Sequence, residues 1–385
     1  MTTEILGIIA IFLLSAIPAY PLGKYINRVF KGERTWFDFL APLERFIFRL
    51  AGIDPNEPMD WKQNMKALLK LNVVFFVWSM LILLTQHLLF WNPANIPAME
   101  PTLAFNSAVS FTTNTNLQHY SGETAASYFS QLFVFCFLQF VSAGTGIAAV
   151  ALLFRGLINR EDANLGNFYD LFLKSCTRIL LPLAVVLAII LLVNGLPTTF
   201  EGPVEVHTIE GTTQAVATGP VAPMVSIKQL GTNGGGYFGP NSSHPLENPN
   251  YITNIAENVA ILLIPMALVF AFGFYLNRKK LGFIFFGVMT VVFVIFVAMA
   301  VYWETQGNPI IQGMGIESPA GNMEGKEVRF GPAASALWGV STTSTSNGSV
   351  DSMHDSHMPL TGAVFLTDMM INALYGGVGV GFVNF

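Results

Sequence analysis

The sequence predicts an all-α integral membrane protein built from repeated units, each with two spanning helices and a shorter helix between them. Hydrophobic residues make up 52% of the chain, charged residues only 11%, and the mean hydropathy is +0.52. A soluble domain usually carries about 25% charged residues. The charges lie between long apolar runs, and a similar polar stretch recurs in three of the connections. Composition, charge placement and repetition therefore agree on one fold class.

Six apolar runs are long enough to cross a membrane, which takes about 20 residues. The first run is an extra N-terminal helix that precedes the repeated units. A seventh run begins near Gly362 and is still apolar at Phe385, so we expect another spanning helix there. The six complete runs cover residues 5–22, 67–90, 128–154, 171–193, 255–276 and 281–303.

The basic residues define the orientation. Sixteen of the 19 Lys and Arg residues lie at residues 24–70, 155–178 and 278–280, which all fall on one side if the runs cross alternately. Basic connections stay in the cytoplasm. We therefore expect a multi-pass protein with its N-terminus outside, surrounded by the lipid bilayer and with no nucleic-acid partner.

The three outer connections each contain a stretch too short to cross the membrane. The stretches begin at Pro101, Pro223 and Pro332, and each ends in a polar run with Gly or Asn. Proline is common at helix starts, so each predicts a short helix followed by a turn. The predicted parts are an N-terminal transmembrane helix at 1–30, a basic cytoplasmic loop at 31–66, pore-loop unit 1 at 67–155, unit 2 at 171–277 and unit 3 at 281–385, with its last helix cut short and a fourth unit absent.

The polar turns suit a dehydrated cation, and potassium in particular. Potassium channels replace the hydration shell with backbone carbonyls from loops that follow short helices. The C-terminus of such a helix adds the negative end of its dipole. Any one of these turns could be an ordinary polar surface loop. Three turns at equivalent places in a repeat favour a shared role as ion ligands.

The residues of the turns resemble a known family. Residues 113–123 (TNTNLQHYSGE), 231–238 (GTNGGGYF) and 244–249 (HPLENP) resemble the first and second filter loops of the potassium-binding (A) subunit of the Kdp-type potassium-transporting ATPase. The third loop is similar at 347–350, 353–356 and 376–379. The resemblance runs from end to end of the chain.

The resemblance implies a potassium-channel-like fold of four helix–pore-loop–helix units after one extra N-terminal helix. It also implies a complex in a bacterial inner membrane, with a P-type ATPase catalytic subunit, small accessory membrane subunits and potassium as the imported ion. The potassium-binding residues it implies are Thr113, Asn114, Thr115, Thr232, Asn233, Gly234, Ser346, Asn347 and Gly348. The supporting residues are Asn116, Gln118, Gly231 and Thr345.

This chain departs from the family pattern in its missing fourth unit. Its first turn has Thr115 where the other turns have Gly, a difference that the family shares. Three turns leave one side of an ion without oxygens, so we expect the 385 residues alone not to transport potassium. Two alternatives stay open. One is a passive or secondary potassium transporter of the same superfamily, and the other is a truncated, non-functional remnant.

Other polar residues are weaker candidates. The chain has no Asp-Lys-Thr-Gly phosphorylation string, so we expect no catalytic residue and ATP hydrolysis on another subunit. Asp351, His354, Asp355 and His357 could bind a divalent metal, but an external polar cap is the simpler interpretation, and we expect no metal other than potassium. Asp368 is either a helix-end charge or a functional intramembrane acid.

Overall fold

The computed structural model describes residues 2–158, 164–326, 328–372 and 374–378, and these residues are mostly helical. Six helices are long and apolar enough to cross a membrane, which confirms the six predicted runs. We call them spans 1 to 6. They are Thr2–Lys31, Trp61–Thr85, Tyr128–Ile158, Phe168–Val193, Tyr251–Tyr275 and Lys279–Gln306.

Three shorter helices stand in the connections after spans 2, 4 and 6, where short helices are predicted. They are half-helix 1 (Pro101–Thr112), half-helix 2 (Val221–Leu230) and half-helix 3 (Gly331–Ser344). Proline lies in the first turn of half-helices 1 and 3, where its missing N–H costs no hydrogen bond. The Glu100 side chain caps half-helix 1 by accepting a hydrogen bond from the Leu103 amide at 2.8 Å.

The remaining elements are small. Strand β1 (Val204–His207) pairs antiparallel with β2 (Thr213–Val216) to form an exposed hairpin between span 4 and half-helix 2. The short helices are Ala41–Ala51, Gly122–Ala125 and Pro309–Gly313, with 3-10 turns at Trp36–Leu40, Gln86–Leu88, Asn241–Ser243 and His354–Ser356.

Local sequence sets the ends and irregularities of the spans. Asp60 and Gln63 form a capping box at the start of span 2, and Asn250 and Thr253 form one at the start of span 5. Spans 3 and 4 contain π-helical segments at Gln131–Cys136 and Ser175–Leu180. Such segments are often found at functional sites. Both lie in spans that pack beside half-helix 2.

The half-helices lie inside the bundle and the spans surround them. All of half-helix 2 except Pro223 is buried, and span 5 is the most buried span. Span 1 packs along span 5, and half-helix 3 packs against span 6. The outer faces of spans 1, 2 and 6 expose apolar side chains such as Leu14, Val73 and Ile284. These faces suit contact with lipid.

The prediction of a seventh spanning helix is wrong for the described residues. The helix begins at Pro359 and ends at Ile371 after 13 residues, and Asn372 takes a left-handed conformation (φ 45°). The chain then turns inward, because Gly376 and Gly377 also take positive φ values of 54° and 60° and no helix can continue through them. Residues 379–385 of this run, and Arg160 of the basic connection between spans 3 and 4, lie outside the described residues.

Candidate ion-binding site

Each half-helix ends in a turn with the same backbone pattern. We call the turns turn 1 (113–116), turn 2 (231–234) and turn 3 (345–348). In each, the second and fourth residues have positive φ and the third does not. The three turns therefore share one alternation of negative and positive φ. The positive φ values are 61° and 53° for Asn114 and Asn116, 46° and 92° for Thr232 and Gly234, and 53° and 87° for Ser346 and Gly348.

The hydrogen bonds of the turns confirm this register. The amide of the third residue donates to the carbonyl five residues earlier in every turn. The pairs are Thr115 to Ser110 at 2.9 Å, Asn233 to Lys228 at 3.0 Å and Asn347 to Thr342 at 2.9 Å. Three separate segments thus fold alike, although only a few of their residues are identical.

The register corrects one expectation about turn 1. In the backbone hydrogen-bond pattern, Thr115 is equivalent to Asn233 and Asn347. It therefore does not occupy the position that glycine holds in the other turns. The glycine position holds Asn116, with φ 53°. Asparagine is one of the few residues with a side chain that tolerate this conformation. Asn116 therefore takes the place of Gly234.

The backbone carbonyls of the second and third residues of every turn, six in all, accept no hydrogen bond from the described residues. By contrast, the carbonyl of Gly234, the last residue of turn 2, accepts a hydrogen bond from Asn241 Nδ2 at 2.5 Å. The carbonyl of Gly235, the residue after turn 2, accepts one from Gln139 Nε2 at 2.6 Å. Buried carbonyls almost always have a partner. Asn233 and Asn347 are fully buried. The six carbonyls at these second and third positions belong to Asn114, Thr115, Thr232, Asn233, Ser346 and Asn347.

The structure brings the three turns together, with turn 2 in the middle. The Asn233 side chain donates to Asn114 Oδ1 of turn 1 and to Ser142 Oγ. The Asn347 side chain of turn 3 donates to the Lys228 carbonyl at 3.3 Å and to the Gln229 carbonyl at 3.4 Å. All the potassium-binding residues expected from the sequence therefore lie in one contiguous region of the protein.

Gln118 connects the segments that follow turns 1 and 2. Its side chain accepts from the Gly236 amide at 2.9 Å and donates to the Phe238 carbonyl at 3.1 Å. Both partners lie just after turn 2. Gln118, which the resemblance implies is a supporting residue, thus bonds to the backbone of a neighbouring unit, and its role in ion binding stays a prediction.

Of the residues that contact the turns or their half-helices, Ser142 escaped the sequence analysis, and residues 376–378 were named there only for their resemblance to the family. Ser142 of span 3 donates to Asn114 Oδ1 at 2.8 Å, and its only signal is a polar residue inside an apolar run. The Val378 amide donates to Thr232 Oγ1 at 3.0 Å, and Gly376 donates to the Ser344 carbonyl at 3.3 Å. The segment after the terminal helix (Pro359–Ile371) therefore lies against turn 2. A helix that crossed the membrane would have placed this segment far from turn 2.

The polar residues beyond turn 3 are linked through Ser352, whose Oγ contacts both Asp351 Oδ1 at 3.5 Å and His357. Asp351 accepts from Asn254 Nδ2 at 3.2 Å, and His357 Nε2 lies 2.9 Å from Ser352 Oγ. Burial raises the pKa of Asp351 to about 7 and lowers the pKa of His354 to about 4. Among the described residues, no three His, Cys or acidic side chains are grouped closely enough to hold a metal ion.

Asp368 is buried in the last turn of the terminal helix, and its role as a functional intramembrane acid stays a prediction. It lies within the terminal helix and accepts hydrogen bonds from Thr343 Oγ1 and Ser344 Oγ, both at 2.7 Å. These hydroxyls belong to the last turn of half-helix 3. Asp368 therefore attaches the terminal helix to the half-helix that precedes turn 3.

Six spans and three half-helices with matching turns define an all-α, multi-pass membrane protein of repeated span–half-helix–turn units. Such repeats place similar backbone around one shared site. The chain belongs to the KdpA family, described as the potassium-transporting ATPase A subunit, whose sequence model matches residues 9–385. Membership of this family indicates a role in potassium transport.

Curated relatives match along essentially the whole chain, and each is a potassium-transporting ATPase potassium-binding subunit. The protein of Flavobacterium psychrophilum is 54% identical over 386 residues, covering 100% of this chain and 67% of the relative. That of Phocaeicola vulgatus is 53% identical, covering 100% and 68%. That of Alicyclobacillus acidocaldarius is 47% identical, covering 98% and 68%. The chain thus spans about two thirds of the length of these relatives.

Proposed function

We propose that this chain is the potassium-selecting and translocating subunit of an ATP-driven potassium importer. Potassium enters from the outer side and is bound by backbone carbonyls of turns 1, 2 and 3. The observation that carries the proposal is the set of six carbonyls, at equivalent positions of three converging turns, that accept no hydrogen bond from the described residues. A cation is the ligand such carbonyls suit best.

The half-helices supply the electrostatics of this site. Each ends at its turn, so the negative end of each helix dipole points toward the same region. Neutral dipoles attract a cation without the fixed charge that would hold it too tightly for release. The Asn233 and Asn347 side chains hold neighbouring turns at a set spacing, and this spacing would favour potassium over the smaller sodium ion.

The proposal assigns ATP hydrolysis to a partner. The relatives are named as potassium-binding subunits of an ATPase, and this chain lacks the Asp-Lys-Thr-Gly string that P-type ATPases phosphorylate. We therefore propose a complex with a P-type ATPase catalytic subunit and small accessory membrane subunits, located in a bacterial inner membrane. The positions of the basic residues support an N-terminus outside.

A cation titration tests the binding half of this proposal. The purified protein in detergent is heated at increasing concentrations of K⁺, Rb⁺, Na⁺ or Li⁺ at constant ionic strength. A ligand that binds only the folded state raises the midpoint of unfolding. We expect stabilisation by K⁺ and Rb⁺ at concentrations where Na⁺ and Li⁺ have no effect. Equal stabilisation by all four ions would contradict a potassium site.

A growth assay tests the transport half. A bacterial strain without other potassium uptake is given this chain together with a P-type ATPase subunit and accessory subunits encoded beside it. We expect growth at low potassium only when both the chain and the phosphorylatable aspartate of the ATPase subunit are intact. Growth with an inactive ATPase subunit would instead indicate the passive or secondary transporter.

A further inference from the structure

Lys228 is a fully buried lysine in half-helix 2, which carries no other charged residue. Its ammonium donates to Asn241 Oδ1 at 2.9 Å, to Ser242 Oγ at 2.5 Å and to Glu247 Oε2 at 2.5 Å. The Lys228 and Glu247 side chains are both 0% exposed. A buried charge persists only when it is paired and fully hydrogen-bonded, and this ammonium has three acceptors.

The same residue is bonded to turn 2 from two directions. Its backbone carbonyl accepts from the amides of Asn233 and Gly234 and from the Asn347 side chain of turn 3. Its side chain holds Asn241, whose Nδ2 in turn donates to the Gly234 carbonyl at 2.5 Å. Lys228 therefore contacts the last two residues of turn 2 directly through its backbone, and the Gly234 carbonyl through one intervening side chain.

Glu247 completes this connection. Its Oε2 binds the ammonium, and its Oε1 accepts from the Phe238 amide at 2.8 Å. Phe238 lies four residues after turn 2, where its carbonyl is held by Gln118. Glu257 is the other acid close by, and it accepts from Ser242 Oγ at 2.8 Å and from Gln229 Nε2 at 2.7 Å. The buried pair thus lies within a network that surrounds turn 2.

The Lys228 charge is close enough to affect a bound cation. Two hydrogen bonds and the width of one amide separate the ammonium from the Gly234 carbonyl, a distance of at most about 8 Å. At this separation a full positive charge in the protein interior changes the affinity of another cation by about tenfold or more. Without a counter-charge, Lys228 would oppose the binding of potassium.

We propose that Lys228 is a positioning residue that fixes turn 2, and that Glu247 is the counter-charge that allows potassium to bind beside it. This inference rests on the proposed function, because it concerns the site formed by the same three turns. An ordinary structural ion pair would stabilise the fold without setting affinity or selectivity for potassium. The two interpretations differ in how single and double variants behave.

The test measures dissociation constants for K⁺ and Na⁺ by cation-dependent thermal stabilisation of the purified protein. Glu247→Gln leaves the ammonium unpaired, so we expect at least about tenfold weaker K⁺ binding. In Lys228→Met/Glu247→Gln both charges are removed, so K⁺ affinity should recover most of that loss. The double variant should discriminate less well between K⁺ and Na⁺, because Asn241 loses the ammonium that holds its Oδ1 while its Nδ2 donates to the Gly234 carbonyl.

The chain offers a matched control pair. Lys326 and Glu304 are also 0% exposed and lie 3.0 Å apart, but neither has a hydrogen bond to the three turns. Glu304→Gln should lower the unfolding midpoint and leave the K⁺ dissociation constant unchanged. If Glu304→Gln weakens K⁺ binding as much as Glu247→Gln does, the effect is a general loss of stability and the inference fails.

Two further results would overturn the inference. One is a K⁺ dissociation constant for Glu247→Gln equal to that of the wild type or of the double variant. The other is wild-type discrimination between K⁺ and Na⁺ in Lys228→Met/Glu247→Gln. This double variant removes both charges of the pair and leaves no unpaired ammonium, so it serves alone if Glu247→Gln does not fold. The wild-type titration separates this failure from failure of the proposed function: selective K⁺ binding by the wild type upholds the site itself.

Discussion

Gly234 lies where turns 2 and 3 come closest, and the structure leaves no space there for a side chain. Its φ is 92°, a conformation that side chains disfavour. A Cβ atom at this position would lie 1.8 Å from the carbonyl oxygen of Asn347. That oxygen is one of the six unpaired carbonyls. The identity of this single residue therefore affects the proposed ligands of two turns.

Gly234→Asp should weaken potassium affinity by at least about tenfold or relax selectivity, since it strains the turn and adds a charge beside the ion. Gly234→Ala should also weaken potassium affinity, through backbone strain alone. The measurement is the K⁺ and Rb⁺ dissociation constant in detergent, with membrane insertion checked by fractionation. Gly287→Ala is the control, because a Cβ there meets nothing within 4 Å. Unchanged affinity and rubidium discrimination in Gly234→Asp would count against the site.

His354 provides a pH-dependent prediction at the same scale. Burial lowers its pKa to about 4, so the fold favours the neutral ring. The stability this contributes is present above the ordinary histidine pKa of about 6.5 and is lost as the pH falls through that value toward about 4. Asp351 has the opposite slope, because its pKa is raised to about 7. The two groups must therefore be separated by mutation.

We expect the wild type to lose up to about 2 kcal/mol more stability than His354→Gln on acidification from about pH 7 to pH 4. The measurement is the unfolding midpoint of both proteins across this range. Parallel curves for wild type and variant would show that His354 does not become protonated at a cost to the fold.

Among the elements, the helices were predictable from the sequence and their endings were not. Long apolar runs and their basic flanks located all six spans, because hydrophobic length is a property of the chain itself. The terminal run looked equally apolar, but its helix stops at Ile371. The cause is tertiary: residues 374–378 bond to turn 2 and to half-helix 3. Composition alone carries no information about such contacts.

The packing of span 1 on span 5 depends on one glycine. A Cβ at Gly23 would lie 2.5 Å from the Ala267 carbonyl oxygen and 2.8 Å from Phe270 Cβ. Small residues allow helices in membranes to approach this closely. Gly23→Ala should destabilise the protein by about 2 kcal/mol, because the backbone of span 5 has to move.

The comparison with Gly287→Ala makes this prediction specific. Both substitutions add one methyl group to a long span, and only the one at Gly23 meets another helix. The measurement is the midpoint of thermal unfolding in the same detergent. If Gly23→Ala is as stable as Gly287→Ala, the two spans do not pack as described.

For the whole molecule, repetition was the most informative signal in the sequence. Three polar turns at equivalent places predicted one shared site, and the structure brings those turns together. The register of turn 1 could not be predicted, because Asn116 resembles glycine only in the conformation it adopts. The pairing of Lys228 with Glu247 could not be predicted either, since 19 residues separate them. Contacts between units depend on the folded arrangement.

The orientation of the molecule can be tested with two exposed positions. Trp36, between spans 1 and 2, is 91% exposed, and Ile209, in the hairpin loop, is fully exposed. With Cys136 and Cys176 changed to alanine, a membrane-impermeant maleimide should label Ile209→Cys in intact spheroplasts and leave Trp36→Cys unlabelled. Permeabilised spheroplasts should label both variants. Labelling of Trp36→Cys before permeabilisation would reverse the proposed orientation.

The central claim is that a potassium ion is bound by the carbonyls of turns 1, 2 and 3. Thallium replaces potassium and scatters X-rays anomalously, so crystals grown in Tl⁺ report the ion position directly. We predict an anomalous peak between the carbonyl oxygens of Thr232 and Asn233 and those of the neighbouring turns, which disappears when excess K⁺ is added. A peak elsewhere, such as beside Asp351 or Glu257, or one that K⁺ does not displace, would contradict the account.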